Sequence, residues 1–245
     1  MKRGILFSWL FVFCLFISGL KPSEIQLKLV GKFGGLDVPE EQFFNIPVDI
    51  TISKEGLIYV LDSRDNNIKI FHKDGNFRKC IGREGSGPGD FKRPWIIKLI
   101  EDSLYVVDTG NRRIQILTKD GEYQRSFRVP VDFGQGMALD SKGNVYLNTR
   151  GLRSNKLISI FDNQGNLTRE TGDLEGKFFE FFDFTLIKQQ IRKGQIPDSS
   201  KNDLLLIIDS KSSIFAVHQA LSKLKKFSPA GELLAKVEIK AEEYE

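Results

Sequence analysis

The sequence predicts an all-β protein, a propeller of four-stranded antiparallel blades, and three observations carry that prediction. A stretch of about 44 residues repeats along the chain, apolar and polar residues alternate within it, and a glycine recurs where a hairpin must turn. The stretches run from Ile46 to Phe77, from Arg93 to Tyr123 and from Gly134 to Leu167. Tyr59, Tyr105 and Tyr146 fall 46 and 41 residues apart, and Gly75, Gly121 and Gly165 fall 46 and 44 apart.

Each element follows from local chemistry. Ile46, Val48, Ile50 and Ile52 alternate with Pro47, Asp49 and Thr51, and Ile114 and Ile116 flank Gln115. A period of two marks strands with one face turned to a core. Asp74-Gly75 and Asp120-Gly121 stand where a two-residue hairpin requires positive φ at both central positions. Each unit therefore reads as strand a, a loop, strand b ending at Asp62 or Asp108, a loop, strand c, the glycine turn and strand d. Four antiparallel strands in 40 to 45 residues make a propeller blade.

The fourth unit is stretched. Phe181 to Ile187 reads as strand a, Leu204 to Ile208 as strand b before Asp209, Leu224 to Phe227 as strand c and Leu233 to Ile239 as strand d. Insertions then fall at Lys188 to Asn202 and at Ser210 to Ser222. Ile25 to Val30 alternates like a strand d that completes the last blade. The expected blades are residues 43–81, 91–128, 134–171 and 178–240, within a propeller domain of residues 21–245.

Composition excludes several classes. With 40% hydrophobic, 28% charged and 11% aromatic residues and 2 Cys, the chain is neither a disordered segment, a disulfide scaffold nor a polytopic membrane protein. Its formal charge of +4, from 36 basic and 32 acidic side chains that are interspersed, does not argue for nucleic acid. Lys2 and Arg3 precede an apolar run from Ile5 to Gly19, the layout of a secretory signal over residues 1–20. The expected location is thus secreted or periplasmic, with membrane contact only through an uncleaved signal anchor. Cys80 is then the one remaining thiol, expected as a small buried hydrophobe.

The segment Gly82 to Leu117 resembles the NHL repeat. That repeat has a Gly-Pro-Gly-x-Phe-x-x-Pro lead-in, a Tyr-Val-x-Asp strand and an Asn-x-Arg-Ile/Val turn. Here they are matched by Gly87-Pro88-Gly89-Asp90-Phe91 with Pro94, by Tyr105 to Asp108 and by Asn111-Arg112-Arg113-Ile114. The first unit keeps Phe44, Pro47, Tyr59-Val60, Asp62 and Asn67-Ile68; the third keeps Tyr146, with Asn148 in the expected place of the Asp. The resemblance implies a secreted six-bladed propeller, which is more often a binding scaffold than an enzyme. Six blades of this size would need about 264 residues, so four recognisable blades imply a partial sequence, the rival being a closed four-bladed ring.

Several residues are candidates for function. Asp62, Asp108 and Asp209 recur at the end of strand b, where a carboxylate can accept backbone N–H bonds and hold the following turn, and Tyr59, Tyr105 and Tyr146 mark the same strand. The b–c and d–a loops share one face of a propeller, and they place Arg64, Arg83, Arg93, Arg112, Arg113, Arg150 and Arg153 there. A second candidate surface is Phe179, Phe182, Lys188, Arg192 and Lys193 in and beside the first insertion. The Gly82 to Gly89 loop fits no phosphate-binding template and reads as the link between blades. His72 and His218 share no metal-ligand spacing.

The expectation is a binding module for a protein, peptide or glycan, with no cofactor and no catalytic residue assigned. The alternative is a metal-dependent propeller hydrolase or lyase, with calcium or zinc held by carboxylates in the central channel.

Overall fold

The computed structural model describes residues 38–129, 136–151, 154–177 and 183–238. The expected signal over residues 1–20, the closing strand at Ile25 to Val30, and Arg153, Phe179 and Phe182 lie outside the described residues. Everything described belongs to one compact unit, Phe33–Glu245.

Four sheets follow one another along the chain. The first holds β1 (Pro47–Ile52), β2 (Ile58–Asp62), β3 (Asn67–Phe71) and β4 (Phe77–Ile81). The second holds β5 (Pro94–Ile100), β6 (Ser103–Asp108), β7 (Arg113–Thr118) and β8 (Tyr123–Arg128). The third holds β9 (Met137–Leu139), β10 (Val145–Asn148), β11 (Lys156–Phe161) and β12 (Leu167–Asp173). The fourth holds β13 (Leu204–Ile208), β14 (Ile214–His218), β15 (Lys223–Phe227) and β16 (Leu233–Glu238). In every sheet each strand pairs with the next in antiparallel order, the meander of a propeller blade. The inner strands β1, β5, β9 and β13 lie beside one another in sequence, so the blades succeed each other face to face.

Pairing register corrects the fourth unit. Tyr59, Tyr105, Tyr146 and Phe215 stand opposite Ile70, Ile116, Ile160 and Lys226, so all four occupy one position of strand b. Leu204 to Ile208 is therefore strand a, and the expected second insertion contains strand b itself. Asp209 lies in the a–b turn, where its backbone N–H donates to Ser213, as that of Ser53 donates to Leu57 and that of Asp140 to Asn144. Residues expected as the end of strand a form instead helix α1 (Phe184–Arg192), whose first turn is capped by the Asp183 carboxylate accepting from the Thr185 and Leu186 N–H groups. With α2 (Asp198–Lys201) it belongs to the connection between the third and fourth blades.

The c–d hairpins also differ from expectation. His72 N–H donates to Asn76 O and Gly75 N–H to His72 O, leaving a three-residue loop in which Gly75 (φ 89°) has positive φ while Asp74 does not. A register shift follows on β3, as in a type I turn closed by a glycine bulge. Gly121, Gly165 and Gly231 repeat the arrangement. A Cβ on Gly165 would meet the Phe127 ring of the preceding blade, so this glycine serves inter-blade packing as well as the turn.

Each blade is apolar on both faces. Tyr59, Leu61, Ile68 and Ile70 of the first pack on Ile97, Leu104, Val106 and Leu117 of the second. Tyr105, Val107, Ile114 and Ile116 then meet Val145, Leu147 and Phe161, and Tyr146, Ile158 and Ile160 meet Ile214, Ala216 and Phe227. Fully burying one such side chain contributes about 1.5–3 kcal/mol. On the first blade the outward face is partly covered by Phe44, which packs 5.6 Å from the Phe71 ring, while Ile50 and Ile52 remain exposed. The outward face of the fourth blade carries Leu205 (51% exposed), Ile207 (59%) and Val237 (51%). These positions correspond to ones that the next blade covers elsewhere.

Uncovered apolar sheet faces drive association. A polypeptide of these 245 residues alone is expected to self-associate through that face, and an Ile207→Glu, Leu205→Lys double variant to do so markedly less at an unchanged thermal midpoint. Sedimentation velocity checks this; identical mass distributions would show that the face takes no part.

Candidate functional site

Three residues after the strand-b aromatic, the four blades carry Asp62, Asp108, Thr149 and His218, none of them exposed at all. The third blade's equivalent of the carboxylate is thus Thr149, one residue beyond the expected Asn148. Beside each, one strand over, stands a second buried polar residue: Lys69, Gln115, Ser159 and Lys225, opposite Val60, Val106, Leu147 and Ala216 respectively. In the first, second and fourth blades this polar pair meets the segment that arrives at strand a.

In the second blade the pair grips the glycine-rich loop. Asp108 Oδ1 accepts from Lys92 N–H (2.7 Å), and its Oδ2 accepts from Asn111 Nδ2 (2.8 Å), Arg113 Nε (2.8 Å) and Gln115 Nε2 (3.3 Å). Arg113 also donates to the carbonyls of Ser86, Gly87 and Asp90, and Gln115 donates to Asp90 O and accepts from Gly89 N–H. Gly82 to Arg93 is therefore the link between β4 and β5, clamped to the mouth of the second blade. In the first blade Asp62 accepts from the N–H groups of Asn45, Ile46, Arg64 and Asp65, with the Lys69 ammonium 3.5 Å away.

The third and fourth blades fill these positions with other chemistry. Thr149 shares a hydrogen bond with Ser159 (3.0 Å), which donates to Glu170. His218 Nδ1 lies 3.1 Å from Lys201 O, and Lys223 and Lys225 both pair with Glu175, at 2.8 and 2.6 Å. Burial alone would raise the Glu175 carboxyl, but the two ammonium groups outweigh it and hold it at about 2. Burial pushes the His218 imidazole below its ordinary range, opposed by the Lys201 carbonyl. Asn202 completes this connection: its Oδ1 accepts from Glu175 N–H and its carbonyl accepts from Asn148 Nδ2. Removing Lys188 to Asn202 would take away that bridge, so the segment serves the join between the third and fourth blades as well as offering a surface.

The expected basic face is therefore divided. Arg113 is taken up by the loop, Arg83 pairs with Asp90 (2.9 Å) and Arg150 with Asp203 (2.7 Å). Arg93 has φ 48° and its N–H donates to Asn66 Oδ1 (2.6 Å), its side chain being exposed. Arg64 and Arg112 are exposed, and among the described residues neither guanidinium meets an acceptor. Lys188, Arg192 and Lys193 stand exposed on and just after α1. Arg128, which sequence reasoning missed, ends β8 opposite Arg113 and is exposed.

Cys80 is also a correction. It lies on β4 opposite Lys69 and is exposed, because β4 alternates half-buried and exposed residues and Cys80 falls in the exposed phase. His72 sits in a c–d turn, at the opposite end of the blades from His218. Among the described residues no three His, Cys, Asp or Glu side chains gather as a metal site. Clefts open on the blades among the described residues. One of about 510 Å³ is lined by Glu40, Asn45, Asp65, Lys69 and Cys80 among others; one of about 500 Å³ lies between the glycine-rich loop and β8, lined by Ser86, Asn111, Arg113, Ser126, Phe127 and Arg128.

Four-stranded meanders stacked face to face around inner strands define a β-propeller. The chain belongs to the DUF5128 family of six-bladed β-propellers, whose sequence model matches residues 32–238. Among solved structures, a Bacteroides fragilis protein named as exported superposes with a TM-score of 0.57 at 16% identity, over 81% of this chain and 52% of its own. A virginiamycin B lyase from Staphylococcus aureus, in a catalytically inactive form with quinupristin, gives 0.54 at 16% identity over 84% and 59%. A protein of unknown function from Bacteroides caccae gives 0.52 at 13% identity over 78% and 60%. The chain thus spans between half and three fifths of these proteins' lengths, and the likeness is one of fold. None of the curated proteins matches it.

Two stability predictions follow from the clamps. Asp108→Ala leaves the Arg113 guanidinium without its anion and is expected to cost about 3–5 kcal/mol, read as a lower urea midpoint. Because Glu175 is more acidic folded than its ordinary 4.5, its contribution is present above that pH and is lost as pH falls towards about 2. Glu175→Gln is expected to be less stable at neutral pH and to show a shallower loss across that window; parallel curves would refute the assignment.

Proposed function

We propose that the chain is an exported binding scaffold that holds an anionic partner, protein, peptide or glycan, on the face formed by its b–c and d–a loops. The observation that carries this is the uneven use of charge on that face. Asp62, Asp65, Asp90 and Asp108 are engaged within the loops, while Arg64 and Arg112 extend to solvent with no acceptor among the described residues. Free guanidinium groups on a rigid scaffold suit bidentate recognition of carboxylate, sulfate or phosphate.

The NHL-like motif supports the same reading, since the residues that carry it, Gly87 to Phe91, Asp108, Asn111 and Arg113, build the clamp and leave recognition to the side chains around it. Export is supported by the apolar run after Lys2 and Arg3, and by the fold shared with a protein named as exported. The lyase reading draws less support: the carboxylates that end strand b each accept at least four hydrogen bonds from neighbouring protein groups.

Retention on immobilised polyglutamate and polygalacturonate, with neutral dextran as control, tests the proposal. The chain is expected to be retained at low ionic strength and released as salt screens the contact, and an Arg64→Gln, Arg112→Gln double variant to elute at distinctly lower salt. Passage of the parent chain through both anionic matrices would refute the reading.

A further inference from the structure

The cleft between the glycine-rich loop and β8 differs from the rest of the loop face. Its floor is fixed: Arg113 spends its N–H groups on Asp108 and on the Ser86, Gly87 and Asp90 carbonyls, so it contributes shape and a held charge. Its wall is not spent. Arg128 stands opposite Arg113 on the neighbouring strand, and among the described residues nothing accepts from its guanidinium. Asn111 donates through Nδ2 to Gly85 O and Asp108, which leaves its carboxamide oxygen as an acceptor.

Two hydroxyls, those of Ser86 and Ser126, line the same space, and Ser126 is bonded to the exposed Tyr123 hydroxyl at 3.1 Å. Phe127, between Ser126 and Arg128 on β8, turns its ring to the other face of the sheet, into the core between the second and third blades, and so fixes the strand that carries both residues. The volume of about 500 Å³ lies in the range of small-ligand sites, about 300–1,000 Å³.

We infer that this cleft binds a carboxylated sugar, one uronate unit of an acidic glycan. Arg128 takes the carboxylate, and Ser86, Ser126 and the Asn111 oxygen exchange hydrogen bonds with ring hydroxyls. A carboxylate side chain by itself would use only the cation and leave the two hydroxyls and the acceptor unmatched. The inference rests on the anionic-partner reading above and narrows it to one site and one chemistry.

Calorimetric titration of the full chain with a galacturonate trisaccharide tests it, beside neutral galactose trisaccharide and a pentaglutamate peptide. The galacturonate is expected to bind saturably at one site and the other two not. Arg128→Gln is expected to weaken binding at least about tenfold, the worth of one charge-assisted hydrogen bond, at an unchanged thermal midpoint. Arg128→Lys, which keeps the charge without the fork, should recover part of the loss, and Lys142→Gln, in an a–b turn at the other end of the blades, should bind as the parent does.

Absence of saturable galacturonate binding, equal binding by Arg128→Gln, or binding of the peptide in preference to the sugar would each overturn the inference. If the chain is still retained on anionic matrices while the trisaccharide fails, the cleft assignment falls and the broader function stands. If both fail, both fall.

Discussion

Asp62, Asp108 and His218, buried at the ends of their strands b, are the constraint on which the blades depend. A propeller must return the chain from the outer edge of one blade to the inner edge of the next, and that return is an irregular segment full of unpaired backbone groups. Buried N–H and C=O groups without partners are costly, so something must meet them. Asp62 and Asp108 do so as acceptors for the arriving segment, and Arg113 and Gln115 meet its carbonyls. Once the return is pinned, strand a of the next blade lies in register, and the two apolar sheet faces can close on one another.

This division explains what was legible in the sequence. Alternation and the recurring Tyr and Gly reveal three blades because those positions are dictated by packing and turn geometry, which change little from blade to blade. The position at the end of strand b is one that several chemistries fill. Threonine with serine, and histidine with a lysine–glutamate cluster, stand where two blades use aspartate. Reading for the aspartate therefore led to Asp209, which follows an apolar run as Asp62 and Asp108 do, although that run, Leu204 to Ile208, is a strand a and Asp209 caps a turn.

The functional surface was half legible for a related reason. A count of arginines in the loops does not distinguish a guanidinium spent on carbonyls from one left to solvent, and only the fold separates Arg113 from Arg112, its neighbour in sequence. Arg128 was invisible because it ends a strand d, an element whose residues carry no loop signature. The register that sets it opposite Arg113 is a consequence of the Gly121 turn and the bulge beside it. Cys80 was misplaced by the converse error, an apolar neighbourhood in sequence standing for one in space.

Separating clamp from rim has a physical consequence for how such a scaffold can vary. The clamp residues are buried and mutually satisfied, so changing one strands its partners and costs stability. The rim residues Arg64, Arg112 and Arg128 contribute little to folding, because an exposed side chain without a partner gives up almost nothing when replaced. Charge on the rim can therefore be exchanged without disturbing the inter-blade register that positions it. The cleft beside β8 joins the two classes, with Arg113 fixed beneath and Arg128 free above. A ligand there meets a surface already ordered by folding, so little conformational entropy remains to be lost on binding.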